Sequence, residues 1–237
     1  MSEEVQYNPL DKMNLGASVA QALLLRRPQA LGSIPVVKGA GIYAIYYVGD
    51  FPLYGPISTR NQRGRFRAPI YIGKAVPEGA RKGTWIRTKN STTVLARRLK
   101  EHAESIRSTD LRVADFFCRY LMVDDIWIPL GETLLIAKLC PLWNSVIDGF
   151  GNHDPGKGRH PGMRPRWDVL HAGRKWAEKC QSRIETRDQI VAEVANYLAQ
   201  TIIPGNPRFL DIEEESADYA VQMSDFDDNL NSHHGGI

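Results

Sequence analysis

Two tyrosines in strand-like runs, an arginine and a histidine four positions apart, and one glutamate opening an apolar run could together do chemistry in this 237-residue chain. Arg98 and His102 stand at i and i+4, so a helix carrying them projects both from one side. A phenol and an imidazole can pass a proton, a guanidinium offers a permanent cation, and a carboxylate binds hard cations. Each residue also has an ordinary structural use. Tyr43 and Tyr71 suit strand packing, and Arg98 and His102 share their segment with Arg97, Lys100, Glu101 and Glu104. Glu132 suits the positive end of a helix dipole, and Asn144 suits a turn after Pro141. The chain has no Walker loop, Rossmann glycine fingerprint, HExxH or GxSxG pattern, which removes the familiar nucleotide, zinc-protease and serine-hydrolase layouts.

These residues need elements to position them. Residues 14–27 (NLGASVAQALLLRR) read as a helix that Pro28 closes. Residues 41–48 (GIYAIYYV) are β-branched and aromatic and predict a buried strand. Pro52, Gly55, Pro56, Gly64 and Pro69 then punctuate a loop-rich stretch, and 69–73 (PIYIG) predicts a second strand. A basic loop over 77–92 follows, then a helix over 93–106 with Leu95, Leu99 and His102 at helical spacing. A third strand is expected over 113–123 and a helix over 131–139, which Pro141 ends. The Gly-, Pro- and Arg-rich run after Asn144 predicts irregular chain, with further helices near 171–181 and 184–201.

Bulk properties narrow the partners. Hydrophobic residues make up 43% and charged residues 24%, as in ordinary globular proteins. No run is apolar and long enough to span a bilayer, and the polar, acidic start MSEEVQYNPL does not resemble a secretory leader, so a cytoplasmic protein is expected. Cys118, Cys140 and Cys180 form no CxxC pair, which predicts free thiols and no structural zinc. Net charge is only +3, yet all 30 basic residues lie at or before Arg208, and eight of the 27 acidic ones lie after it. Residues 1–208 thus carry 30 basic against 19 acidic side chains, a net of +11 that suits a polyanion.

Taken together, the residues make a pattern. Gly41-Ile42-Tyr43 and Tyr71-Ile72-Gly73 match the two tripeptides that name the GIY-YIG nuclease superfamily. Arg98 and His102 match its R-x-x-x-H helix, and Glu132 with LLI…P-x-x-N, ending at Asn144, resembles its metal-binding helix. The resemblance covers 41–144. One departure is the connection of 27 residues, 44–70, between Tyr43 and Tyr71, longer than is usual in the superfamily. A long insertion here resembles the superfamily's type II restriction endonucleases. The segments YIGKAVP, PLWN-VIDGFGNH-PG and WDV-H-GR-WAEKC look like those that read CCGCGG, extending the match to about residue 180.

The resemblance implies an α+β fold, a small, mainly antiparallel three-stranded sheet flanked by helices, with N- and C-terminal additions. The expected division is an N-terminal helical extension over 1–40, a catalytic core over 41–150 with a hairpin-like insertion at 49–69, a DNA-contacting loop and C-terminal helices over 151–208, and an acidic flexible tail over 209–237. It also implies a magnesium-dependent hydrolysis of DNA phosphodiesters, with Mn²⁺ as a substitute for Mg²⁺. Glu132 would hold the metal, and Arg98 would face the non-bridging oxygens. Tyr43 would act as general base with help from His102, because an unaided tyrosine, with a pKa of about 10, is a poor base near neutrality. Tyr71 and Lys74 would approach the phosphate or water, and Asn144 would hold loops together. Arg60, Arg63, Arg65 and Arg67 of the insertion, and Lys157, Arg159, His160, Arg164 and Arg166 beyond it, are the candidates for DNA contact, whether to guanine edges or to phosphates. A palindromic site implies a homodimer, or a homotetramer as in some relatives. Two other readings stand beside this one. The first is a structure-directed or mobile-element endonuclease on the same core. The second is a non-catalytic DNA-binding protein, against which the intact Tyr43, Tyr71, Arg98 and Glu132 speak.

Overall fold

The computed structural model describes residues 12–76, 93–154, 156 and 162–201. Four antiparallel strands form one sheet in the order β1-β4-β2-β3: β1 (Gln29–Ala30), β2 (Gly41–Tyr47), β3 (Pro69–Ala75) and β4 (Phe116–Met122). The three expected strands are its body. β1 adds a two-residue edge, Gln29 opposite Cys118 and Ala30 opposite Phe117.

β2 lies at the centre, which explains its unbroken apolar run, since both of its faces are covered. Tyr43, Ile45 and Tyr47 face a core shared with Leu95, Leu99 and Ile106 of α3 (Val94–Arg107) and with Ile190, Val194 and Leu198 of α7 (Arg187–Thr201). Ile42, Ala44 and Tyr46 face the other way, against α1 (Lys12–Leu24) and α4 (Ile128–Leu139), through Ala20, Leu23, Ile128, Leu134 and Leu135. α7, the last helix among the described residues, is therefore part of the core on the Tyr43 side. Along α3, Leu95, Leu99, His102 and Ile106 form one buried stripe, so His102 belongs to the apolar face rather than to the charged one.

Several expectations change. The insertion is not a hairpin: Pro52 and Pro56 stand in the first turns of a 3-10 turn, Pro52–Tyr54, and of α2 (Gly55–Asn61). The buried Asn61 closes it, donating to the carbonyls of Tyr47 at 3.0 Å and Ala68 at 2.8 Å and accepting from the Ala68 N–H at 2.8 Å. α4 begins at Ile128, where Pro129 is tolerated in the first turn, so Glu132 stands one turn inside the helix rather than at its start. α5 (Leu142–Ser145), a short helix for which no element was expected, follows Pro141. The helix expected over 171–181 is absent. α6 (Arg166–Leu170) precedes it, and Gly173, at φ +143°, breaks the chain into a single 3-10 turn at Ala177–Lys179. The basic loop 77–92 and the acidic tail lie outside the described residues.

Candidate active site

The chemistry-bearing residues gather at the β3 side of the sheet. β3 pairs with β2 so that Tyr43 faces Gly73 and Ile42 faces Lys74. The register shifts between Ile45 and Tyr46, leaving Ile70 as an extra residue just before Tyr71. Such a bulge re-aims the chain locally, and here Ile70 and Tyr71 both reach the core that holds Tyr43. Gly73 is required by closeness: a Cβ there would lie 2.5 Å from the Tyr43 hydroxyl. On the open side of β3, the Asn144 side chain does the work of a neighbouring strand. It accepts from the Ile72 N–H and donates to the Ile72 carbonyl, both at 2.8 Å.

Behind β3 sits a sealed pair. The Tyr43 hydroxyl and His102 Nε2 are 2.7 Å apart, and the two residues are 0% and 1% exposed. Burial pushes the Tyr43 phenol well above its ordinary range, with the neighbouring Tyr71 adding to the rise and the Arg98 cation opposing it. Burial pushes His102 well below the ordinary histidine range, and Arg98 pushes it the same way. Both members are neutral at physiological pH. Phe150 stacks on the imidazole at 4.6 Å and 17° and packs against Tyr71 at 5.0 Å.

In front lies a charged rim. Lys74 Nζ is 2.5 Å from Glu132 Oε2, with the two side chains 40% and 15% exposed. The α4 carboxylate and the Tyr71 phenol lie within electrostatic reach of each other: burial raises the Tyr71 pKa, Arg98 opposes the rise and Glu132 adds to it. Arg98 donates to the Gly151 carbonyl at 2.5 Å, pairs with Glu101 at 3.4 Å and hydrogen-bonds the His153 imidazole. The structure thus brings Tyr43, Tyr71, Lys74, Arg98, His102 and Glu132 to one place, with Asn144 bracing the strand beneath.

Phe150, Gly151 and His153 were not singled out from sequence. They lie in a Gly-rich run without periodicity, and the GFGNH match to restriction-type relatives was their one signal. Among the DNA-contact candidates, Arg63, Arg65 and Arg67 are exposed on the turn that enters β3, and Arg60 is half-buried on α2. Arg63, at φ +58°, and Phe66, at φ +43°, hold that turn in a conformation side chains rarely adopt. Arg164 and Arg166 are engaged inside the fold. Arg164 donates to the carbonyls of Ala177 at 3.0 Å and Glu178 at 3.3 Å. Arg166 pairs with Glu185 and, at 2.8 Å, with Glu193, and donates to the Val146 carbonyl at 3.0 Å. Bracing of the 146–193 region is the use the structure gives these two. Lys157, Arg159 and His160 lie outside the described residues.

No helix among the described residues is long and apolar enough to cross a membrane. No curated protein matches the chain closely enough to count as a relative. The family described as Eco29kI GIY-YIG domain matches residues 36–198, a span holding all the site residues and both flanking helical layers except α1. With that match laid over a GIY strand, a YIG strand and the converging Arg98, His102 and Glu132, the chain belongs to the Eco29kI GIY-YIG domain family, a family of restriction endonucleases within the GIY-YIG superfamily.

Proposed function

We propose that the protein is a type II restriction endonuclease that hydrolyses both strands of a short GC-rich palindrome, CCGCGG by its resemblance to relatives, as a homodimer or homotetramer. The observation that carries the reading is the layered site, with a cationic and acidic rim of Lys74, Arg98 and Glu132 before a sealed Tyr43–His102 pair.

A divalent cation is part of the proposal. Among the described residues there is no cluster of three or more metal-ligating side chains. A lone, half-buried carboxylate nonetheless suits Mg²⁺, which keeps several waters and is commonly held by one or two carboxylates plus substrate phosphate. Glu132 is that carboxylate, with Mn²⁺ as an alternative ion. When bound, the cation neutralises charge on the phosphate and on the leaving 3′ oxygen.

The chain's own groups do the rest. Arg98 directs its guanidinium to the non-bridging oxygens, where a planar fork matches phosphate geometry. Lys74, already beside Glu132, adds a second positive charge, and Tyr71 offers a hydroxyl at the rim. The water's proton passes to the Tyr43 oxygen as the phenol's own proton passes to His102 Nε2, in the tautomer that carries its hydrogen on Nδ1. Burial makes a preformed phenolate costly, so the phenol gives up its proton only as it takes the water's. Arg63, Arg65 and Arg67, with Lys157, Arg159 and His160, are the proposed DNA contacts, since arginine and lysine recognise guanine O6 and N7.

Glu132→Ala tests the assignment. Cleavage is expected to vanish, while binding to the same DNA without metal persists. Full activity in that variant, or cleavage in EDTA, would contradict the role of Glu132 and the metal.

A further inference from the structure

Arg174 is 5% exposed, and each of its five N–H groups has an acceptor. Nε donates to Asp168 Oδ1 at 2.7 Å and Nη2 to Asp168 Oδ2 at 2.5 Å. The remaining donors meet three carbonyls of one loop: Gly149 at 2.9 Å, Phe150 at 3.1 Å and Asn152 at 3.1 Å. Trp167 and Trp176 lie on the guanidinium at 4.6 and 4.8 Å. A buried ion pair is weak evidence of stabilisation, because desolvation offsets much of its attraction. What this one does is fix a loop.

That loop touches the site at three points. Phe150 stacks on His102, the Gly151 carbonyl accepts from Arg98 at 2.5 Å, and His153 hydrogen-bonds the other Arg98 terminal nitrogen. We propose that Arg174, anchored by Asp168, is a positioning residue that sets the aim of Arg98 and the seat of His102 through residues 149–153. Its planar five-donor fork is the reason lysine cannot replace it, since an ammonium cannot meet both carboxylate oxygens and three carbonyls at once. The kinetic consequence rests on the nuclease reading; the geometric one does not.

The test uses the full chain with Arg174→Lys, Trp176→Leu and Gly151→Ala, and long unmethylated DNA with Mg²⁺. Trp176→Leu keeps the charge and removes one stacking ring, covering the case in which Arg174→Lys fails to fold. Gly151→Ala perturbs the contact from the other end, because its Cβ would lie 2.5 Å from the Tyr71 hydroxyl and 3.2 Å from Arg98 Nη2. A misplacement of about 1 Å costs about 100-fold, so Arg174→Lys should slow single-turnover cleavage by about that factor, with DNA affinity in EDTA unchanged. Trp176→Leu and Gly151→Ala should slow it in the same way. The His102 ring nitrogens should also move in the NMR spectrum of Arg174→Lys, or of Trp176→Leu in its place. Wild-type rates in the folded variants, or unmoved His102 resonances, would overturn the proposal. Should the wild-type protein leave DNA uncut, the nuclease reading falls, and the His102 resonances then decide the clamp alone: displaced they uphold it, unmoved they end it.

Discussion

Tyr43→Phe separates chemistry from packing at the centre of the site. The substitution keeps a ring that packs 6.3 Å from Tyr71 and 5.4 Å from His102, and it removes one hydroxyl. That hydroxyl lies 2.7 Å from His102 Nε2, and the Arg98 side chain bears on it as well. The stability cost is mainly the loss of the buried bond to His102 and the stranding of its imidazole nitrogen, about 1–3 kcal/mol. For a domain of this size each kcal/mol is worth about 2–4 °C in Tm, so the variant should remain folded at 25 °C. If the hydroxyl takes the water's proton, removing it should slow cleavage by about 10²–10⁴-fold, equal to about 3–5 kcal/mol on the barrier. Thermal unfolding and single-turnover cleavage on the same preparation read the two quantities side by side. Near-normal turnover with a lowered Tm would return Tyr43 to the role of a packed aromatic. Equal losses in Tyr43→Phe and Tyr71→Phe would move the proton relay to the rim.

Acid should destabilise the fold through its buried histidines. His102 and His171 are both held below the ordinary histidine range, chiefly by burial, so the unfolded chain binds protons that the folded one refuses. Stability is then complete above the unfolded pKa of about 6.5 and falls as pH drops, by about 1.4 kcal/mol per pH unit for each proton withheld. A Tm that stays flat between pH 7 and 5 would contradict this. Asn144→Ala should strip the open side of β3 of both bonds to Ile72, costing about 1–3 kcal/mol and lowering cleavage with it, as Tm and rate would report. Arg63→Ala or Arg65→Ala should reduce the salt slope of DNA binding by about 1 if the contact is to phosphate, or relax preference at one base pair by about 1–3 kcal/mol if it is to a base. Unchanged slope and preference in both would remove the turn from the DNA interface.

How far the site could be read in advance depended on whether a residue's use was local. β2 and β3 were visible because β-branched and aromatic runs flanked by Gly and Pro have few other ways to fold, and α3 because Leu95, Leu99 and His102 repeat at helical spacing. The same spacing brought Arg98 and His102 to one side of α3, though it did not tell that His102 is buried while Arg98 reaches the rim. The segment 171–181 misled because Ala177, Glu178 and Lys179 are good helix formers, whereas Gly173 and the stacking of Arg174 on two tryptophans are settled by tertiary contacts. Arg164 and Arg166 were candidates for DNA because they sit in a basic run. The partners of Arg166, Glu185 and Glu193, lie about 20 or more residues away, and Arg164 reaches the carbonyls of Ala177 and Glu178, all beyond anything a local pattern carries.

The most direct measurement is to incubate the pure protein with Mg²⁺ and a long unmethylated DNA and to map every fragment end. Discrete fragments that all end at one short GC-rich palindrome, cut on both strands and lost with Glu132→Ala, are the predicted result. An untouched substrate, a smear without preferred ends, or the same fragments from the Glu132→Ala protein would contradict the account.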